Sequence, residues 1–213
     1  MPDQPQPPSP RLTLETIVDS ALGIVLDQGF EALSMRRLAK ECGVGVMTLY
    51  GYVRTKDDVL EALANRLFRS LELPVDDSLP WQQRVAGVLR SMRSVLLKHP
   101  ELLPVVATQR LDGIDAYRGA ESLFRGLDAA GLEDRRAVHA FDALVSFTVG
   151  SVQREIGLER TDRAPLPGLR KLPHDEFPHV IGLAGFLVTS DAEASFTAGL
   201  DLLIAGIERS ASR

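Results

Sequence analysis

Two short helical patterns flanking a glycine restrict the fold of this chain more than any other stretch: SMRRLAKECGVGVMTLYGYVRTKDDV, from Ser34 to Val59. Ser34 is placed to cap a helix whose inner stripe is Met35, Leu38, Ala39 and Cys42, at the three-to-four-residue spacing of one helical face. Gly43 breaks that helix, and Gly45 or Val46 begins the next. Each residue turns a helix by about 100°, so Val46, Leu49 and Val53 fall together and face inward. Met47, Thr48 and Gly51 point away, with Tyr50 and Tyr52 on the flanks. A solvated helix would carry Glu, Lys or Gln on such a face. Thr55 then caps a further helix, with Asp58 three residues on in a capping-box pattern, and Leu60, Leu63, Ala64, Leu67, Phe68 and Leu71 continue it until Pro74. Upstream, Thr13 caps a first helix with Leu14, Ile17, Val18, Ala21, Leu22 and Val25 on one face and Gly29 as its stop.

Two short helices joined by a tight glycine turn are the elements of a helix-turn-helix, whose second helix enters the major groove of DNA. The outward residues suit that surface. Tyr50 and Tyr52 carry hydroxyls for phosphate oxygens, and Thr48 reaches a phosphate or a base. Met47 and Val46 offer contact to a thymine methyl, Arg36 reaches a guanine edge or a phosphate, and Lys56 is placed for the backbone. Two alternatives remain at this point: the tyrosines also seal a helix seam, or the hairpin docks on protein.

Charge favours DNA once its distribution is considered. The chain carries a net charge of −5, yet Ser34–Lys56 holds five bases (Arg36, Arg37, Lys40, Arg54, Lys56) against the single acid Glu41. An acidic body with one local basic face is compatible with DNA binding, because binding follows local potential. Hydrophobic residues make up 45% of the 213, enough for one substantial core or two smaller ones, and no apolar run approaches a membrane span. The start, MPDQPQPPSP, has no basic and apolar regions of a secretory signal and reads as a Pro-rich disordered tail over residues 1–10. The single cysteine, Cys42, excludes an intramolecular disulfide and a cysteine-clustered zinc site, which points to the cytoplasm.

The segment LSMRRLAKECGVGVMTLYGYVRTKDDVLEALA resembles the DNA-binding segment of the TetR family of bacterial transcriptional repressors, with T-L-Y and V-x-x-K in register. The resemblance covers roughly Leu14 to Leu71 and implies that Arg36, Thr48, Tyr50, Tyr52 and Lys56 occupy DNA-contacting positions. Two departures stand out. Gly45 replaces a frequent serine cap, and Gly51 replaces an aromatic or long polar residue, which puts one contact and the operator preference in doubt. Further on, WQQRV from Trp81, KHP from Lys98, AAGLEDRRAVHAFDALVSFTVGSVQREI and FTAGLDLLIAGIER resemble the tetracycline-repressor branch. That resemblance implies an all-α chain: a three-helix DNA-binding domain over 11–58, joined by a long helix to a ligand-binding and dimerisation domain over 59–213.

The residues agree with a helical C-terminal half. Val138, Phe141, Leu144, Val145, Thr148 and Val152 form one stripe, and Leu200, Leu203, Ile204 and Ile207 another, with Gly199, Ala205 and Gly206 permitting close helix approach. Plain core is the default use of either stripe, and the interface of a homodimer is the alternative. A Pro-rich connection over 161–178 reads as a mobile loop, placed to cover a ligand entrance or to act as a crossover. Tetracycline repressor holds its drug through magnesium with a histidine and a carboxylate. The resemblance puts Val106 at the histidine position and Arg154 at the carboxylate position, so no magnesium complex is expected. Arg110 matches a pocket arginine, and Val88, Met92, Val106, Phe124 and Phe147 are candidate apolar walls or core.

An enzyme is the rival from another class. His99, His139, His174 and His179 show no metal-binding spacing, and neither a Gly-rich phosphate loop nor a G-x-S-x-G elbow appears. The expectation is a non-enzymatic, ligand-responsive DNA-binding repressor without cofactor or metal. Its partners would be a palindromic operator, a second copy of the chain and a small apolar inducer. A constitutive DNA-binding regulator is the nearer alternative.

Overall fold

The computed structural model describes residues 12–74, 76, 78–108, 112–159, 168–189 and 191–211. The expected tail over 1–10, Arg110 and the 161–167 part of the Pro-rich connection lie outside them. All regular structure among the described residues is helical, in agreement with the all-α expectation. The chain forms two compact units, residues 1–70 with 101–117, and residues 71–100 with 118–213.

The first unit contains α1 (Leu14–Gln28), α2 (Met35–Glu41), α3 (Val46–Leu49), α4 (Lys56–Arg69) and α6 (Leu103–Thr108). The proposed domain limit between residues 58 and 59 falls inside α4. Local chemistry sets the ends of these helices. Thr13 caps α1, but its reciprocal partner is Thr16 at the third position. Gly29 stops α1 with φ 83° and ψ 165°, a backbone region open essentially to glycine alone. Ser34 Oγ accepts the Arg37 N–H and caps α2. At the end of α2, Gly43 takes φ 67°, and the N–H groups of Gly43 and Val44 return to the carbonyls of Lys40 and Ala39, a Schellman closure.

The helix beginning at Val46 is shorter than its apolar spacing implies. Regular α-structure ends at Leu49, and the chain continues to Val53 in tighter turns, with Gly51 N–H on the Thr48 carbonyl and Tyr52 N–H on that of Leu49. Gly45 supplies no side-chain cap, and Gly51 has the highest entropy cost in a helix, so neither end of a longer helix is supported. The inward assignment still holds for Leu49, fully buried, and Val53; Val46 is half-buried. On α1 the buried set is Ile17, Val18, Ala21, Ile24 and Val25, whereas Leu14 is exposed in the first turn and Leu22 half-buried.

The second unit contains α5 (Trp81–Lys98), most of α7 (Ile114–Ala129), α8 (Asp134–Glu159), α9 (Pro178–Thr189) and α10 (Ala192–Ala211). α8 packs on both α5 and α10. Val85, Val88, Leu89, Leu127, Leu144, Phe196, Leu200 and Ile204 are buried in its core. Two glycines let helices close up. A Cβ on Gly126 would lie 2.6 Å from a Val85 methyl, and one on Gly199 would lie 2.5 Å from the Phe147 ring. The expectation of close approach is thus met at Gly199, whereas a Cβ on Gly206 would meet nothing within 4 Å in this chain. No described helix is long and apolar enough to cross a membrane.

Candidate nucleic-acid interface and ligand core

The stretch from Val46 to Val53 separates sharply by exposure. Leu49 and Val53 are 0% and 3% exposed; Met47 is 83% exposed, Tyr50 43% and Tyr52 49%, and Thr48 and Arg36 are exposed as well. Neither tyrosine hydroxyl takes part in a hydrogen bond among the described residues, and Arg36, Arg37 and Lys40 make no ion pair there. This surface therefore combines free donors, a large apolar side chain and positive charge, the set that contacts phosphates and base edges. Sealing a helix seam would bury the rings further.

Lys56 is half-buried at the first position of α4, with its ammonium 4.9 Å from the centre of the Phe30 ring. That contact restrains a long side chain that would otherwise lose rotamer freedom on meeting a phosphate. The turn before α4 is bound tightly. Asp58 accepts from the N–H groups of Arg54 at 2.7 Å and Thr55 at 3.2 Å and from the Thr55 hydroxyl at 2.8 Å, while its own N–H donates back to Thr55 Oγ1 at 3.1 Å. The Thr55 hydroxyl, and after it the Arg54 N–H, hold the Asp58 carboxyl below its usual 3.8.

At the other end of α4, Arg69 Nε donates to Asp115 at 3.1 Å, and Asn65 Oδ1 accepts the Asp115 N–H at 2.7 Å. Asp115 is only 3% exposed. The first turn of α7 is thereby anchored to α4 inside the first unit, and Gly113 has no space for a Cβ beside Asn65. Nothing in the local pattern of 101–117 reveals this return to α4, because the partners are 46 and 50 residues apart.

The candidate ligand residues fall into different places. Val88 and Met92 are buried on α5. Phe124 stacks on Phe141 at 4.8 Å, and Phe147 on Phe196 at 5.6 Å. Val88, Phe124 and Phe147 are brought together in the core of the second unit. Val106 is half-buried on α6 in the first unit, and Arg110 lies outside the described residues. One polar feature escaped the sequence reading: Arg93, buried on α5, pairs with Glu155 of α8 and Glu193 of α10. An arginine among Leu89, Met92 and Leu96 on an apolar stripe is the signal that marks it, since a buried charge requires partners.

Comparison with known proteins bears on both regions. Residues 17–63 match the family described as bacterial regulatory proteins, tetR family, and residues 73–211 match the tetracyclin repressor-like C-terminal domain. An HTH-type transcriptional regulator of Saccharopolyspora erythraea is 30% identical over 99% of this chain and 90% of its own. Tetracycline repressor protein class D of Escherichia coli is 31% identical over 93% of this chain and 90% of its own. The Streptomyces coelicolor TetR family protein ActR, solved in complex with actinorhodin, superimposes with a TM-score of 0.85 at 31% identity, covering 95% of this chain and 99% of ActR.

Proposed function

Because this chain belongs to the TetR family of bacterial regulatory proteins, we propose that it is a repressor that binds a palindromic operator as a homodimer and is released by a small, mostly apolar molecule. The observation that carries the DNA reading is the division along 46–53: a buried Leu49–Val53 side holds the turn in place, and an exposed Met47–Thr48–Tyr50–Tyr52 side meets DNA. Met47 and Val46 contact thymine methyls, the tyrosine and threonine hydroxyls and Lys56 contact phosphates, and Arg36 contacts a phosphate or a guanine edge.

The dimer reading is supported by apolar side chains that the second unit leaves exposed. Leu202 on α10 is 72% exposed and Phe186 on α9 75%, and Val138, Leu158, Val180 and Leu183 are exposed too. Leu202 and Phe186 are the most exposed of them, and large apolar side chains of this kind are what a partner would cover. A second copy covers them and supplies a second reading helix about 34 Å from the first, as a palindrome requires.

The effector enters the second unit near Val88, Met92, Phe124 and Phe147. ActR holds actinorhodin, which supports a small-molecule effector for this chain as well. The alkyl side chain of Val106, at the position the resemblance gives to a metal-binding histidine, offers no donor atom, so the effector is not a magnesium–tetracycline complex. The effector acts by binding better to the arrangement whose reading helices no longer match the groove. The protein works in the cytoplasm, beside the genome, and performs no catalysis.

The test is selection from a genomic DNA library by the purified protein at moderate salt, with Tyr50→Ala/Lys56→Ala as control. Enrichment of one short palindrome, absent with the double variant, is the expected result. Retention without a shared sequence, or equal retention by the variant, would overturn the operator reading. A selected palindrome that no apolar molecule releases would favour a constitutive regulator.

A further inference from the structure

The second unit carries a charged cluster that neither DNA binding nor an apolar pocket explains. Arg93 is 8% exposed, with Glu155 Oε2 2.7 Å from one terminal nitrogen and Glu193 Oε2 bonded to the other. Its guanidinium carbon sits 5.1 Å from the centre of the Phe196 ring, and its Nε is buried without a hydrogen-bond partner. The two carboxylates are not equivalent. The Glu155 side chain is 16% exposed, whereas that of Glu193 is 61% exposed. One partner is held by the fold; the other stands in water and is exchangeable.

Next to Glu193 is a cleft of about 410 Å³ between α5 and the start of α10. Arg90, Arg93, Ser94, Leu97, Lys98 and Phe196 line it. Arg90 and Lys98 make no ion pair among the described residues, so three bases face one carboxylate around this space. The cleft meets the apolar core at Phe196, which stacks on Phe147, and takes its polar lining from α5 and Glu193.

We infer that this cleft binds a small aromatic carboxylate, whose carboxylate replaces Glu193 on Arg93 while its ring lies against Leu97 and Phe196. Charge makes the exchange feasible. Arg93 with two carboxylates carries an excess negative charge, and a ligand that expels Glu193 to solvent restores the same count while adding attraction from Arg90 and Lys98. α10 does not depend on Glu193 for its start, because the Asp191 side chain accepts the Glu193 N–H at 3.1 Å and the Asp191 carbonyl accepts that of Ser195 at 2.9 Å. Ligand binding therefore releases the Glu193 tie between α10 and α5 without unfolding the first turn of α10, while Phe196, Leu200 and the Gln82–Glu208 bond keep the helix in place. The same helix, α10, carries the exposed Leu202, so an anion in the cleft acts on the helix that presents it.

The test needs no operator and so stands or falls separately from the DNA reading. Binding of 4-fluorobenzoate and of its neutral analogue 4-fluorobenzamide to the full chain is followed by fluorine NMR. The expected result is saturable binding of the carboxylate alone. Glu193→Gln removes the competing carboxylate and tightens binding at least about threefold, and Arg90→Ala/Lys98→Ala weakens it about tenfold, the scale of one charge-assisted contact. Both variants alter exposed side chains and leave the Arg93–Glu155 pair in place, so their folding is checked simply by melting. Equal binding of the amide, no binding by wild type and Glu193→Gln alike, or an affinity indifferent to these substitutions would each overturn the proposal.

Discussion

The stretch from α1 to the start of α4 and the second unit are held by interactions of different reach. From Thr13 to Thr55 in the first unit, helix ends are set by groups a few residues away: Thr13 with Thr16, Ser34 with Arg37, Thr55 with Asp58, and glycines at 29 and 43 with positive φ. In the second unit the deciding polar contacts join distant residues, Arg93 to Glu155 and Glu193 across 62 and 100 positions and Gln82 to Glu208 across 126. A DNA-reading element needs a fixed backbone beneath an unencumbered face, and short-range capping supplies that without using the outward side chains. An effector-binding region needs helices from separate parts of the chain, and only long-range packing assembles those.

The contrast predicts a graded series of effects. Leu49→Ala, at a fully buried position, should lower the free energy of unfolding by about 3 kcal/mol, whereas Met47→Ala two residues earlier should change it by less than about 0.5 kcal/mol and weaken DNA binding instead. Chemical denaturation and DNA titration of both variants would show it; a Met47 effect on stability equal to that of Leu49 would break the division of this turn into two sides. In the second unit, Gly199→Ala forces a methyl against the Phe147 ring and should cost about 2 kcal/mol, again by denaturation. Gly206→Ala should be neutral or stabilising in the isolated chain, and any loss it causes should appear only in self-association.

Smaller effects belong to the capped turn. Thr55→Ala should cost about 1 kcal/mol at neutral pH, in the range of lost N-caps. Asp58 has a lowered folded-state pKa, so its stabilising effect is complete above its usual 3.8 and is lost as pH falls through the lowered value. Asp58→Asn should therefore differ from wild type in thermal stability near neutrality and converge with it in acid. A difference that persists unchanged at low pH would mean that the carboxylate charge is not what the cap uses.

The same contrast explains which features could be read from sequence. The caps at Thr13, Ser34 and Thr55, the stops at Gly29 and Gly43, and the inward Leu49 and Val53 follow from spacing and local hydrogen bonding, which a single segment contains. The short extent of α3 was less visible, because the apolar spacing of Val46, Leu49 and Val53 survives in the tighter turns that replace regular helix. The return of 101–117 to α4 through Asp115, Asn65 and Arg69 had no local signature at all. Among the ligand candidates, the resemblance and the apolar pattern pointed to Val88, Phe124 and Phe147, but the same pattern describes ordinary core. The stacked pairs Phe124–Phe141 and Phe147–Phe196 show how closely the two uses coincide.

The central claim is that the exposed side of 46–56 reads DNA and contributes little to the fold. It is tested most directly by titrating the selected palindrome with wild type and Tyr50→Ala/Lys56→Ala over a range of salt, with melting temperatures measured on the same samples. The double variant should bind at least about a hundredfold more weakly, with a salt dependence shallower by about one counterion for the lost lysine and a nearly unchanged melting temperature. Equal affinity for the palindrome, or a loss of affinity that merely follows a loss of folding, would contradict it.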